Sequence, residues 1–225
     1  MIRDLKVSVK ILKFGFQAVM QVVLMIAFLV LGMAMELGSR GTYWMGAMLI
    51  MISPMYFAQL LYGLGMAQIV AASPYNKRFQ TTISAVGSAV LSIICMTVLV
   101  LVKYWEIQRH PELTQTIITA LFTAGCMALI FNLYAAVVYK YYALSIILMI
   151  LGVGSISGVY GFYTGIGSEI SLPFISNASF GSIAAIGYGF VLIGALLQYA
   201  LSCALYKKPL SEYAQGAMMR KYLKG

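Results

Sequence analysis

Of 225 residues, 62% are apolar and only 9% are charged, against roughly 25% charged in an ordinary soluble domain. With a mean hydropathy of +0.91, that balance excludes every soluble class and predicts an all-α polytopic membrane protein, a single transmembrane domain over residues 1–225. The net charge of +9 would suggest nucleic acid on a soluble protein; here it is read as contact with anionic lipids and control of topology, with no nucleic-acid partner.

Residues 2–16 come first. Arg3, Lys6, Lys10 and Lys13 recur at i, i+3, i+7 and i+10, and Leu5, Val9, Leu12 and Phe16 at i, i+4, i+7 and i+11. A helix sorts these into a basic stripe and an apolar one, the pattern of an amphipathic helix lying in the membrane interface. Six spans follow, expected at residues 17–35, 43–72, 81–102, 113–138, 143–163 and 182–205. The first apolar run is longer than the core of a signal peptide and no A-x-A site follows it, so it is expected to remain as an anchor. The second exceeds the ~20 residues that cross a bilayer and contains Pro54, so it is expected to tilt, kink or project. Residues 165–180 are too apolar for a solvated loop and too broken by Pro173 and its neighbouring Gly and Ser residues for a span; they read as an outer re-entrant or interfacial segment. Residues 206–225 form a tail.

Lys and Arg placement sets the orientation. With the N-terminus inside, Arg3, Lys6, Lys10, Lys13, Lys77, Arg78, Lys140, Lys207, Lys208, Arg220, Lys221 and Lys224 are cytosolic, 12 of the 15 cations. Arg40, Lys103 and Arg109 remain outside. The expectation is a multi-pass membrane protein with both termini cytosolic.

The chemistry inside the spans is sparse. Glu36, Lys103 and Glu169 all fall at span edges in this layout, and midspan polarity is confined to Gln59, Gln68, Asn132 and Gln198. Intramembrane charges are costly and mark proton or ion pathways, so their expected absence argues against a proton-coupled carrier. The amides read as interhelical hydrogen bonds, with Gln59, about a turn from Pro54, best placed to face a pathway. Gly154, Gly158, Gly161 and Gly165 recur at i, i+4, i+7 and i+11 and let a second helix approach closely, either inside the chain or across a dimer seam. Met45, Met48, Met51, Met55 and Met66 give the second span an adaptable surface for varied apolar cargo or simple lipid-facing bulk. Cys95, Cys126 and Cys203 lie in apolar runs without metal spacing and read as small core residues. There is no phosphate loop, no H-E-x-x-H and no G-x-S-x-G; the one histidine, His110, precedes Pro111. The chain is expected not to be an enzyme, with no metal site and no cofactor of its own.

The polar break is residues 72–82. Ser73 is a candidate N-cap and Pro74 a candidate N1 residue for a short helix, which would put Tyr75 and Phe79 on one side and Lys77 and Arg78 on another. An aromatic pair flanked by cations fits a groove on a partner; the alternative is a lipid-anchoring loop.

Taken together, the interfacial helix at 2–16, this cytosolic break between spans two and three, and the apolar outer segment between spans five and six resemble the membrane subunits of type-2 ABC exporters. The resemblance covers the whole chain and is architectural. It implies a permease that works as a dimer, with a second copy or a paralogue, beside a separate cytosolic ATPase subunit that binds ATP and magnesium. It implies coupling to that ATPase through Ser73, Pro74, Tyr75, Lys77, Arg78 and Phe79, and a translocation path between spans two and five lined by Met55, Gln59, Tyr62, Gly158 and Phe162. The cargo would be amphipathic or apolar: a peptide, lipid or drug. Two other readings stay open, the substrate-binding membrane module of a vitamin importer and a non-transporting membrane assembly factor.

Overall fold

A computed structural model of the chain describes residues 18–66, 75–165, 175 and 178–208. The interfacial helix expected at 2–16, most of the outer segment at 165–180, and the tail beyond 208 lie outside the described residues. Within them the fold is helical, with six helices long and apolar enough to cross a membrane.

α1 (Ala18–Gly38) and α2 (Trp44–Met66) form a tight hairpin. Its turn needs two residues in the left-handed region, Arg40 (φ 55°) and Gly41 (φ 71°), and the Gly41 N–H donates to the Glu36 carbonyl at 2.9 Å. The two helices touch backbone to backbone: a Cβ on Gly32 would lie 2.9 Å from the Gly46 carbonyl oxygen, and one on Gly46 would lie 2.9 Å from the Glu36 nitrogen. α2 runs helical through Pro54. Next to it, the Ser53 hydroxyl donates to the Met25 carbonyl of α1 at 3.3 Å and to the Leu49 carbonyl at 3.4 Å.

The third span is longer than its apolar run. Asn76–Arg78 is helical, Phe79–Ile83 forms one wider π turn, and α3 (Ser84–Arg109) continues without a break, giving a 34-residue rod from Asn76 to Arg109. The connection expected at 103–112 is therefore mostly helix. No Gly or Pro interrupts the chain between Gly87 and Pro111, and the helix stops at His110 because a residue before proline is pushed out of the α region; its φ is −133°. A short 3-10 turn (Pro111–Leu113) leads into α4 (Thr114–Val137), and α5 (Tyr142–Gly165) and α6 (Phe180–Leu205) complete the bundle. The Ser179 hydroxyl caps α6 by accepting from the Ser182 N–H at 3.2 Å, one of the N-terminal donors a helix leaves unpaired.

α2 and α4 are central. α2 buries 72% of its most apolar stretch and α4 61%, whereas α1 buries 17% and α5 only 6%. α4 can sit at the centre because one broad side of it carries small residues, Ala120, Ala124, Gly125, Ala128 and Ala135, so neighbours approach closely there. Met51 and Met55 of α2 pack in this core against Met96, Leu121 and Phe131, and Met48 is partly buried against the same cluster. The side chains at the centre of the expected adaptable surface are thus core fillers.

Candidate functional site

The bundle has two unlike polar ends. At one, among the described residues, stand Lys77, Arg78, Lys140, Lys207 and Lys208 with no carboxylate; at the other stand Arg40, Lys103 and Arg109 together with Glu36, Glu106 and Glu112. The Asn76–Arg109 rod links them.

At the basic end the rod begins with an exposed Tyr75 and exposed Lys77 and Arg78. Local bonds hold this turn: Gln80 Nε2 donates to Asn76 Oδ1 at 2.7 Å, the Thr81 hydroxyl donates to the Lys77 carbonyl at 2.7 Å, and the Phe79 N–H donates to the Tyr75 carbonyl at 3.0 Å. Phe79 is 1% exposed and packs with Leu61, Leu64 and Ile83, with Phe57 alongside. This corrects the expected layout. Tyr75 and Phe79 are not a shared exposed pair: Tyr75 faces out and Phe79 is the root that fixes the turn to the end of α2. The helix is assigned from Asn76, with Tyr75 at its N-cap and no side-chain cap bond; Ser73 and Pro74 lie outside the described residues. Nearby, Lys140 Nζ donates to the Lys208 carbonyl at 2.7 Å, which ties the α4–α5 turn to the end of α6. Partial burial pulls the Lys140 ammonium below the usual lysine range because desolvation disfavours the charged form.

At the other end lies a buried ion pair. Lys103 Nζ donates to Glu36 Oε2 at 2.9 Å and to the Gly41 carbonyl at 2.7 Å, and both side chains are 0% exposed. Among the described residues Glu36 Oε1 has no hydrogen-bond partner. Glu106, one turn on along α3, is also buried and packs by Gly41. The Tyr160 hydroxyl of α5 donates to the Thr42 carbonyl at 2.6 Å, and its ring lies 6.1 Å from Trp44. One ammonium thus clamps the end of α1 and its following turn to α3. Sequence reasoning placed Lys103 in an outer loop and missed the pair. The signal was present in the stripe Ser88, Ser92, Cys95, Met96, Leu99, Lys103 and Glu106, all buried on one face of α3, which carries the 3.6-residue period past the apolar run.

Between the ends, a polar seam crosses three helices nearer the basic end. The Tyr62 hydroxyl of α2 bonds the Ser202 hydroxyl of α6, and the Ser88 hydroxyl of α3 donates to Gln198 Oε1 at 2.7 Å. Gln198 therefore joins two helices as expected of a midspan amide, whereas Asn132 Nδ2 donates to the Ala128 carbonyl of its own helix at 2.9 Å. Replacing Ser88 by alanine leaves Gln198 short of a second partner, since its Nε2 already lacks one; the expected loss is about 0.6 kcal/mol and at most about 1.7, read as a lowered unfolding midpoint in detergent.

The expected path residues are not brought together. Met55, Gln59 and Tyr62 are buried inside the bundle, the Tyr139 hydroxyl donating to the Gln59 carbonyl at 3.1 Å. Gly158 lies exposed on the outer side of α5, and the side chain of Phe162 is outside the described residues. Among the described residues, a Cβ on Gly154, Gly158 or Gly161 would meet no atom within 4 Å. Close glycine packing occurs instead between α4 and α6, where a Cβ on Gly125 would lie 2.9 Å from the Gly187 Cα and one on Gly194 would lie 3.2 Å from the Leu129 Cα. Among the described residues no group of three or more His, Cys, Asp or Glu is placed to hold a metal.

Comparison with protein-family models, with curated proteins and with solved structures yields no match to this chain.

Proposed function

We propose that the chain is the permease subunit of an ATP-driven exporter in a bacterial cytoplasmic membrane, its basic end in the cytosol, moving an amphipathic or apolar cargo. The observation that supports this reading is the rod. An exposed turn bearing Tyr75 and Lys77 is rooted by buried Phe79 and continues as unbroken helix to Lys103, whose ammonium holds Glu36 and the Gly41 carbonyl. A push on the turn cannot be absorbed locally, because displacing Phe79 would open a void among Leu61, Leu64 and Ile83, and protein interiors tolerate such voids poorly. The push is passed along the rod to the hairpin turn at the opposite end. A separate cytosolic ATPase, with its own ATP and magnesium, supplies the work, and a second copy or a paralogue completes the permease. The excess of cations over carboxylates at the basic end fits the cytosolic side of a membrane protein.

The test acts on the exposed face of the turn and spares its root. Tyr75→Ala combined with Lys77→Glu is expected to leave membrane insertion and the unfolding midpoint unchanged and to abolish co-purification of an ATPase and stimulation of its ATP hydrolysis. ATPase coupling that survives this pair intact sinks the exporter reading. Phe79→Ala is unsuitable for the purpose, since it removes a core ring along with any contact. A tightly retained small molecule in place of an ATPase would favour the vitamin-module reading.

A further inference from the structure

Between α4 and α5 lies a cavity of about 170 Å³, walled by Phe122 and Cys126 from α4, Ile156, Val159 and Tyr160 from α5, and Ile175. Its lining also includes three aliphatic hydroxyls, Thr119, Thr123 and Ser155, which at first suggests a polar ligand. Their bonding says otherwise. Thr119 donates to the Gln115 carbonyl at 2.9 Å and Thr123 to the Thr119 carbonyl at 2.9 Å, so both hydroxyl protons are turned back onto α4. The Tyr160 hydroxyl is engaged by the Thr42 carbonyl. Among the described lining residues only Ser155, exposed at the edge on α5, has a hydroxyl proton left to offer. What the walls present is aromatic and aliphatic.

Depth and access narrow the occupant. Thr119 to Cys126 begin five residues into α4 and end twelve residues in, roughly 8–18 Å from its start at 1.5 Å per residue, within the hydrocarbon of a bilayer core of about 30 Å. The α5 wall belongs to the least buried helix, and two of its lining residues, Ser155 and Val159, are themselves exposed, so the cavity opens on the outer face of α5, which would meet lipid tails in a bilayer. An apolar cavity of about 150 Å³ is enough to admit a benzene-sized molecule. A lipid tail seated there would make dispersion contacts with the lining atoms without bringing any polar group out of water.

We propose that this cavity is a binding site for one hydrocarbon chain of a membrane amphiphile, taken up sideways from the leaflet at the Lys103 end. The proposal stands apart from the exporter reading: a chain with no transport role would hold the tail equally well.

The full chain in nanodiscs, containing a phospholipid with a photoactivatable diazirine in one acyl chain, tests it. Crosslinks are expected to concentrate on Thr119–Cys126 and Ser155–Tyr160, several-fold above the exposed face of α1. Ser155→Phe, which fills the mouth from an exposed position, is expected to remove that excess, and Val159→Ala, which enlarges the cavity, to raise it. Cys126 gives a second readout: stripping lipid is expected to speed its reaction with a small apolar maleimide, while exposed Cys203 reacts at an unchanged rate. Labelling spread over α1 and α5 in proportion to exposure overturns the proposal, as does an excess that Ser155→Phe leaves intact. Crosslinks that join two copies of the chain through these segments overturn it in favour of a protein partner.

Discussion

Lys103→Met is expected to destabilise the folded chain by about 3–5 kcal/mol, the range for removing one member of a buried ion pair. Glu36 would be left at 0% exposure, with Oε1 unpartnered among the described residues and without the one ammonium that bonds Oε2, whether it stays charged or takes up a proton at a cost. The Gly41 carbonyl would lose its donor as well, loosening a turn that holds Arg40 in the left-handed region. The double variant Lys103→Met, Glu36→Leu is expected to recover most of the loss, because replacing a whole buried pair with apolar side chains is often neutral or better. Unfolding followed by helical signal in detergent, with both singles and the double, completes the cycle. A Lys103→Met midpoint equal to that of the unaltered chain would show that the pair is not buried in the membrane-embedded protein.

Gly125→Leu should be the most damaging of the glycine replacements. A Cβ there already meets the Gly187 Cα at 2.9 Å and Phe190 Cδ2 at 3.2 Å, and the first of these is backbone, which cannot rotate aside. Overpacking costs about 1–3 kcal/mol where side chains can shift and more where they cannot; here α4 and α6 must move apart along the seam that also holds Gly194 against α4. Gly158→Leu is the contrast. It adds its side chain to open space and is expected to leave the unfolding midpoint of the single chain unchanged. If the α5 stripe seats a second copy, Gly158→Leu lowers the dimer fraction seen by crosslinking or size exclusion while the monomer stays folded. A Gly125→Leu chain with unaltered stability would refute the close α4–α6 approach.

These two contrasts show which parts of the molecule were legible in its sequence. The six apolar helices were, because lipid leaves a backbone little alternative to helix and the apolar runs are long. Their polar ends were not, because hydropathy stops where charge begins: α3 continues as helix through Lys103 to Arg109, though its apolar run fades before that. The Glu36–Lys103 pair spans 67 residues of sequence, and no local pattern announces a partner at that distance. Glycine spacing on α5 marks a face without side chains but cannot say whether anything covers it. The seam that does form uses an isolated Gly125 on one helix against Gly187 and Gly194 on another, a match visible only when both are in place. Phe79 was singled out as an exposed contact because its neighbours are polar, yet its register with Ile83 turns it inward.

The rod has one more consequence. Thirty-four residues of unbroken helix extend about 51 Å at 1.5 Å per residue, whereas a bilayer with its headgroups is about 40–45 Å thick. Phe79 near one end and Lys103 near the other are both fixed to neighbouring helices. A bilayer thinner than the rod would be accommodated by tilt, and α1 and α2, held to its two ends, would be expected to lean with it. The bilayer's own thickness thereby becomes an input to the shape of the whole protein.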